Sequence, residues 1–310
     1  MLTIIASMPR SGSTWLGKLF DSHDATLYLH EPDSVQPRND LPLLLDDASV
    51  ELQQAIQDWL ALKDDKVLAS RPMFKKQARG AIKQHGFELT ALAGKAALRF
   101  GLPSFGMPLF SRFPAEVTAW KTIESVGRMP ALLRTEGTQG IHLIRHPCGQ
   151  IASTLRGSEK AVFGSDLPVW EDEDLYKKLL EQGGYSALSL SDVMSMSPEG
   201  RLAVRWGLMN DFTYTRLKGS SRYQMVRYED LCAEPFDTIK SLFDFCGLVL
   251  GAQTLRFVEE STGKHNDGYY STSKDPLRAA NSWRDQLSSS QQTAVMEVAH
   301  TFECGKLFDL

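Results

Sequence analysis

Short apolar runs alternate along the chain with longer segments in which apolar residues recur at helical spacing. The short runs predict five buried strands, over residues 2–6, 25–29, 117–122, 140–144 and 223–228. The helical spacing predicts helices over 14–22, 48–62, 72–100, 128–134, 147–155, 198–217 and 236–246, with a last helix from about Ser288. Because no hairpin dipeptide separates the strands, the pattern predicts an α/β fold with a parallel sheet and helical crossovers.

The chain shows no internal repeat, low-complexity stretch or linker, so we expect a single domain over residues 1–310. Within it, two segments at about 48–100 and 166–196 read as helical insertions that form an added lobe. The four cysteines lie far apart, in no C-x-x-C pair, and are expected to be buried thiols.

Charge and hydropathy narrow the function classes. The net charge of −4 over 310 residues excludes steering of the whole chain onto nucleic acid or an anionic membrane. The N-terminus has no basic region followed by a long apolar run, and no apolar run approaches the roughly 18 residues of a membrane span. We therefore expect a protein without a membrane span, located in the cytoplasm.

The first strand runs directly into Ser7-Met8-Pro9-Arg10-Ser11-Gly12-Ser13-Thr14-Trp15 and then a helix. A loop in this position offers backbone N–H groups and the helix dipole to an anion. Compared with the nucleotide loop G-x-x-x-x-G-K-[ST], Ser7 replaces the first glycine and Ser13 replaces the lysine, while a positive charge stands at Arg10. The loop therefore predicts an anion-binding site, and the missing lysine makes a kinase the less favoured interpretation.

The run P-R-S-G-S-T-W-L resembles the 5′-phosphosulfate loop of the sulfotransferases that use 3′-phosphoadenosine 5′-phosphosulfate (PAPS). The resemblance implies a P-loop-like three-layer fold, with a central parallel sheet flanked by helices, and PAPS as the sulfuryl donor. It also implies that the phosphosulfate is held by Arg10, Ser11, Gly12, Ser13, Thr14 and Trp15.

A second motif of this family is an arginine at a later strand end, with a serine eight residues on, both holding the 3′-phosphate. Arg145 and Ser153 match it, and a guanidinium with a nearby hydroxyl suits a phosphate. Tyr228 in Y-E-D-L resembles the family's tyrosine near the nucleotide. Late contacts from a C-terminal loop are matched only loosely, by the candidates Thr262, Lys274 and Arg278.

The resemblance also implies candidates for the catalytic residues. The small-molecule branch uses a histidine after Lys-Thr as its base, but here Ile123 follows Lys121-Thr122. Carbohydrate sulfotransferases instead have a segment that resembles Tyr28-Leu29-His30-Glu31-Pro32, so Glu31 is the candidate base, with Glu124 as the fallback. Arg10 and Lys121 would offset the charge on the leaving phosphate oxygen. No metal is expected, and the lone histidines at 30 and 146 are read as structural.

The acceptor stays open at this point. Residues 63–99 hold nine basic and three acidic residues, which suits either an anionic glycan or a solvated helix face. The Glu31 segment favours a carbohydrate hydroxyl, while small-molecule, lipid and tyrosine acceptors remain alternatives. More distant alternatives are a P-loop kinase and a catalytically inactive nucleotide-binding protein. The oligomeric state is open.

Overall fold

The computed structural model describes residues 1–101, 108–159, 167–186, 188–263 and 276–310. In this part of the chain, five strands form one sheet in the order β2-β3-β1-β4-β5, and all four pairings are parallel. The strands are β1 (Leu2–Ala6), β2 (Thr26–His30), β3 (Val117–Thr122), β4 (Thr138–Ile144) and β5 (Tyr223–Arg227).

Helices fill the connections and the C-terminal part of the described chain. They are α1 (Ser13–Asp21), α2 (Pro32–Val35), α3 (Val50–Ala61), α4 (Asp65–Leu68), α5 (Gly80–Arg99), α6 (Met129–Leu132), α7 (Pro147–Glu159), α8 (Glu173–Gly183), α9 (Leu190–Ser195), α10 (Pro198–Leu217), α11 (Tyr228–Ala233), α12 (Pro235–Phe245), α13 (Ala252–Gly263), α14 (Pro276–Asn281), α15 (Trp283–Gln286) and α16 (Ser289–Ala299). None of the helices in the described residues is both long and apolar enough to cross a membrane.

The sheet is buried on both faces, as a parallel sheet must be. Alternate residues of each strand point to opposite faces, so Ile4 joins one apolar cluster and its neighbour Ile5 the other. The first cluster includes residues of α3, α7, α8, α10 and α16, and the second includes residues of α1, α12 and α13. These layers confirm the predicted α/β fold with a central parallel sheet between helices.

Most element boundaries follow the apolar pattern, but two predictions need correction. The predicted helix over 72–100 is wrong over residues 72–76. A 3₁₀ turn covers Gln77–Arg79, and α5 begins at Gly80, whose φ is 63°. Before it, the buried Lys76 ammonium donates to the carbonyl oxygens of Asp21 and His23, which holds residues 72–76 against the end of α1. Tyr228 begins α11 and does not end β5, and α13 was not predicted. The single-domain organisation stays a prediction.

Candidate active site

The carboxyl ends of all five strands lie at one edge of the sheet, because every pairing is parallel. From β1 the chain passes to β2 on one side of the sheet, and from β4 it passes to β5 on the other side. The loops after β1 and β4 therefore diverge and leave a crevice between two neighbouring strands. Open α/β sheets bind their ligands at such a crevice.

The loop after β1 leads into the N-terminus of α1 through Gly12, which has φ 87° and provides no side-chain cap. No acidic residue lies in the first turn of α1, so the positive end of the helix dipole is not offset there. A Cβ atom on Gly12 would lie 2.3 Å from Cε2 of Tyr228. Gly12 is therefore required both for its backbone conformation and for the close approach of this ring.

Side chains from the β4 side fix the carbonyl groups of the loop. Arg145 Nη1 donates to the Arg10 carbonyl oxygen at 3.0 Å, and Gln150 Nε2 donates to that of Pro9 at 2.9 Å. Arg145 Nη2 donates to the Ala279 carbonyl oxygen at 2.8 Å. Its buried Nε has no hydrogen-bond partner among the described residues, so one donor of this guanidinium is available to a ligand.

Arg10 links the two predicted motifs directly. Its Nε donates to Ser153 Oγ of α7 at 3.1 Å, and its own φ is 72°, a left-handed conformation that non-glycine residues rarely adopt. The Tyr228 ring lies under the Arg145 guanidinium, with 4.8 Å between its centroid and Cζ. Burial raises the pKa of Tyr228, so this hydroxyl stays neutral. The crevice thus collects two guanidinium groups, a serine hydroxyl and a helix N-terminus.

Glu31 and Lys121 form an ion pair at the neighbouring strand ends. Glu31 follows β2 with φ 49°, and its carboxylate oxygen accepts a hydrogen bond from Lys121 Nζ. Lys121 is 1% exposed, and this burial lowers its pKa, while the attraction of Glu31 opposes the shift. The Glu31 side chain is 20% exposed. The carboxylate therefore keeps access to solvent although its partner is enclosed.

His30 lies beside this ion pair. Its Nδ1 is 2.9 Å from Tyr28 Oη, and its Nε2 is 4.0 Å from the Glu31 carboxylate. Burial lowers the pKa of His30 to about 4, and the Lys121 ammonium adds to the shift. The ring is therefore neutral near pH 7, and its bond to Tyr28 is consistent with the structural role expected from the sequence.

Asp33 is a residue of this site that the sequence reasoning missed. It is 1% exposed, in α2 directly after Glu31 and Pro32. Its carboxylate accepts hydrogen bonds from Thr122 Oγ1 at 2.5 Å and Ser125 Oγ at 2.7 Å. Burial raises its pKa against these hydrogen bonds. Asp33 ties α2 to the end of β3, which fixes Glu31 relative to Lys121.

Comparison with known proteins identifies the family of this chain. A sequence model of the Sulfotransferase family matches residues 3–251, which span the strands, the loop after β1 and the second motif. The chain belongs to the Sulfotransferase family. This membership confirms the predicted enzyme class, a sulfotransferase with PAPS as the sulfuryl donor.

Similar proteins cover nearly the whole sulfotransferase chain at low identity. Carbohydrate sulfotransferase 5 of Mus musculus is 23% identical over 331 residues, covering 95% of this chain and 77% of that protein. Carbohydrate sulfotransferase 6 of Homo sapiens is 22% identical over 330 residues, with the same two coverages. A solved sulfotransferase domain from the Synechococcus PCC 7002 olefin synthase aligns with 100% of this chain and 95% of its own, at 18% identity and a TM-score of 0.46.

Some predicted donor-site residues of this sulfotransferase lie apart from the crevice contacts. Trp15 donates its indole N–H to Ser261 of α13 at 3.0 Å, and Thr14 is exposed while Ser11 and Ser13 are buried. Of the loosely matched C-terminal candidates, Thr262 donates its hydroxyl to the Val258 carbonyl oxygen within α13, and Arg278 lies in α14. Lys274 lies outside the described residues.

Arg205 and Tyr176 form a second feature that sequence reasoning missed. Arg205, in α10, forms no hydrogen bond or ion pair within the described part of the chain, although burial lowers its pKa and Glu124 attracts it. The buried Tyr176 hydroxyl in α8 has no partner there either. Glu124, the fallback base, has a pKa raised mainly by burial. No pattern in the sequence separates Arg205 from the other arginines of α10.

His146 has structural contacts on every side. Its ring stacks on Trp283 at 4.4 Å between centroids, and its Nε2 is 2.7 Å from the Asp309 carbonyl oxygen. Burial lowers its pKa to about 4. Across the described ranges, no three histidine, cysteine, aspartate or glutamate side chains are grouped so that they could hold a metal ion.

Proposed function

We propose that this enzyme transfers the sulfuryl group of PAPS to a hydroxyl group of a carbohydrate, and that the crevice between β1 and β4 binds the PAPS. The observation that carries the proposal is the direct contact between the two motifs. Arg10 of the first motif donates to Ser153 of the second, and Arg145 donates to the Arg10 carbonyl oxygen. Two separate anion-binding segments thus meet in one crevice, as a substrate with phosphate groups at both ends of its ribose requires.

On the donor side, the backbone of the loop and the N-terminus of α1 would hold the phosphosulfate, with the hydroxyls of Ser11, Ser13 and Thr14. Arg145 and Ser153 would hold the 3′-phosphate, for which the unpartnered Arg145 Nε is a remaining hydrogen-bond donor. Tyr228 would lie against the nucleotide. The absence of an acidic residue in the first turn of α1 fits this polyanionic substrate.

In the transfer step, Glu31 would take the proton of the acceptor hydroxyl as its oxygen bonds to sulfur. The bond between sulfur and the bridging phosphate oxygen breaks, which leaves a sulfate ester and 3′,5′-adenosine bisphosphate. Arg10 and Lys121 would offset the negative charge that develops on the leaving oxygen. Lys121 suits this role because it is buried, and an ammonium group acts more strongly where water is excluded.

The ion pair between Lys121 and Glu31 gives both groups a defined position before the acceptor binds. Asp33 adds to this order because it joins α2 to the β3 end. Preorganised groups of this kind lower the barrier because little reorganisation is needed during the reaction. Glu31 keeps access to the acceptor side, since its side chain is partly exposed.

A carbohydrate acceptor is supported by two observations. The relatives that cover 95% of the chain are named carbohydrate sulfotransferases, and the segment Tyr28 to Pro32 resembles theirs. Small-molecule, lipid and tyrosine hydroxyls are the alternatives, and a panel of one neutral sugar, one sterol and one tyrosine peptide separates them. Sulfation of the sugar alone supports the proposal, whereas sulfation of the sterol or the peptide alone overturns the acceptor class.

The donor site is tested by calorimetry with 3′,5′-adenosine bisphosphate, with ATP and Mg²⁺ as the comparison ligand. We expect micromolar binding that falls about 30-fold or more in Arg145→Ala, since a buried charged contact is lost. Ser153→Ala should reduce the affinity by a smaller factor. The exposed Arg222→Ala is the matched control and should bind as the wild type does.

Either of two results would overturn the donor site. Tighter binding of ATP with Mg²⁺ than of the bisphosphate would favour the kinase alternative. Unchanged bisphosphate binding in both Arg145→Ala and Ser153→Ala would place the nucleotide elsewhere. Tight bisphosphate binding without sulfation of any acceptor would favour an inactive nucleotide-binding protein.

A further inference from the structure

The basic stretch at 63–99 divides into two groups in the structure. Some of its side chains are committed to the fold: Lys76 donates to the Asp21 and His23 carbonyl oxygens, and Arg79 donates to those of Phe110 and Ser111. Arg71 and Arg99, by contrast, are exposed and form no hydrogen bond or ion pair among the described residues. Only some of the nine basic residues in this stretch are therefore available to bind a ligand.

The uncommitted arginines line one groove. It has a volume of about 690 Å³ and is formed by Arg71, Leu92, Lys95, Ala96, Arg99 and Phe100. Three of these side chains are cationic and none is acidic. Leu92 is 43% exposed and Phe100 is 80% exposed, so large apolar groups flank the three charges.

Like charges converge at this groove. Lys95 has a lowered pKa, first through burial and then through the repulsion of Arg71 and Lys18, against which Asp65 contributes less. Lys95 Nζ donates to the Ala69 carbonyl oxygen, a neutral acceptor. Cations brought together without a carboxylate partner in the groove lining repel one another, and a bound anion would relieve this repulsion.

The groove is joined to the proposed active site through α1. Lys18 Nζ of α1 donates to the carbonyl oxygens of Ser70 at 2.6 Å and Pro72 at 3.0 Å, the two residues that flank Arg71. The same ammonium lies 5.1 Å from the centroid of the Tyr28 ring, in strand β2, which ends at His30 directly before Glu31. The helix that begins at the phosphosulfate loop thus also fixes one wall of the groove.

We propose that this groove binds an amphiphilic anion: a carboxylate or sulfate group held by Arg71, Lys95 and Arg99, with an adjacent apolar group on Leu92 and Phe100. Resting on the proposed function, we assign the anion to a part of the acceptor remote from the hydroxyl that is sulfated. Arginine is suited to this role because its planar guanidinium donates two parallel hydrogen bonds to such oxyanions.

The test measures binding of four probes by calorimetry, with and without 3′,5′-adenosine bisphosphate. Phenyl β-glucoside is neutral, phenyl β-glucuronide adds a carboxylate, and methyl β-glucuronide keeps the carboxylate but lacks the ring. Phenyl β-glucoside 6-sulfate replaces the carboxylate with a sulfate and separates the two anion types. We expect an anionic phenyl sugar to bind about tenfold or more tightly than phenyl β-glucoside, and more tightly than methyl β-glucuronide.

Matched variants locate the effect. Arg71→Gln with Arg99→Gln should bring the ratio between the anionic and neutral phenyl sugars close to one. Lys75→Gln with Lys83→Gln removes two exposed charges from the same stretch outside the groove and should leave the ratio unchanged. Phe100→Ser should weaken the binding of all three phenyl probes and leave that of methyl β-glucuronide unaffected. The affinity for the bisphosphate should stay within about twofold in every variant, since none of these residues lies in the crevice.

Three results would overturn the inference: a ratio near one in the wild type, an equal loss in the Lys75 and Lys83 control, or no binding of any probe. Failure of the proposed function has a different signature. If the wild type does not bind the bisphosphate but still discriminates between the probes through Arg71 and Arg99, the groove is an anion site and the donor assignment fails.

Discussion

At the scale of single residues, Glu31 is the group whose role is most open to test. Its carboxylate is bonded to Lys121, and Glu31→Gln preserves the size and an oxygen that can still accept this hydrogen bond. If Glu31 is the base, the rate of sulfuryl transfer should fall about 10²- to 10⁴-fold. Affinity for 3′,5′-adenosine bisphosphate should change less than about twofold, as measured by calorimetry on the same preparation.

Glu124→Gln is the control for this prediction. Glu124 lies near Glu31 and is attracted by Arg205, but it follows β3 and is not bonded to Lys121. We expect its transfer rate to stay within about threefold of the wild type, because its removal takes no group away from the proton transfer. A large loss in Glu124→Gln with full activity in Glu31→Gln would move the role of base to Glu124.

A substitution at Gly12 has two effects that can be measured separately: backbone strain and a steric clash with Tyr228. Gly12→Ala places a residue with a Cβ at φ 87° and drives that atom into the Tyr228 ring. Gly137→Ala is the matched control, because Gly137 has φ 70° and no atom within 4 Å of an added Cβ. Each should lose roughly 1–2 kcal/mol of unfolding free energy through the left-handed conformation.

Only Gly12→Ala should also lose nucleotide binding, because its methyl group displaces Tyr228 from beneath Arg145. Urea unfolding measures the first effect, and calorimetry with the bisphosphate measures the second. Wild-type binding by Gly12→Ala would show that the close approach of Tyr228 is not needed at the donor site.

Whether a site residue can be predicted from the sequence depends on how far apart in the chain its interaction partners lie. Arg10, Gly12, Arg145 and Ser153 could be named because each belongs to a short local motif. Asp33 could not be predicted as a site residue, because its role depends on hydrogen bonds from Thr122 and Ser125, which lie about ninety residues away in the chain. Short sequence motifs can be recognised without a structure. Hydrogen bonds between distant residues cannot, because they depend on how the sheet brings the strand ends together.

At the scale of elements, the same distinction separates correct from incorrect predictions. Strand β4 is buried along its whole length and was recognised from its apolar run. Residues 72–76 were wrongly predicted to be helical, because the hydrogen bonds of Lys76 to the end of α1 outweigh the local helix propensity. Helix α10 was predicted over its full length, 198–217, where a serine N-cap and a proline mark its beginning.

Two arginines one turn apart in α10 give a prediction at this scale. Arg201 donates to the carbonyl oxygens of Met194, Met196 and Trp170 and to the Glu171 carboxylate. Arg205 has no such partner among the described residues. Arg201→Gln should therefore lower the unfolding free energy by about 1–3 kcal/mol, and Arg205→Gln by less than about 0.5 kcal/mol.

Urea unfolding followed by circular dichroism measures both free energies. The two variants differ only in which of two arginines, one helical turn apart, is replaced. Arg201 ties α10 to the segment before α8 and to the end of α9, so its loss should loosen three elements together. An equal loss of stability in both variants would mean that charge on this face of α10, and not the hydrogen bonds, stabilises the packing.

At the scale of the whole molecule, the order of the strands determines which motifs meet. Loops after β1 and β4 come together because these strands are neighbours, although about 140 residues separate them in the chain. Glu31 and Lys121 meet in the same way, because β2 pairs with β3 so that His30 lies opposite Lys121. The parallel topology thus places the proposed donor site and the proposed base at one edge of the sheet.

Stability of the whole molecule should depend on the protonation of its buried histidines. The pKa of His30 is lowered to about 4 by burial and by Lys121, against 6.5 for an unperturbed histidine. Between these values the unfolded chain binds a proton that the folded protein does not, so stability falls as the pH falls. From pH 7 to pH 5 this difference costs about 2 kcal/mol for His30 alone.

Other groups contribute with the opposite sign, which is why variants must be compared. Burial raises the pKa values of Asp33, Glu124 and Glu229, so these carboxyl groups favour the folded state as the pH falls. His30→Gln should therefore lose about 2 kcal/mol less than the wild type between pH 7 and pH 5, by urea unfolding at each pH. The exposed His85→Gln should follow the wild-type curve. Parallel curves for wild type and His30→Gln would mean that His30 binds its proton equally in both states, and that burial and the Lys121 ammonium do not hold its ring neutral.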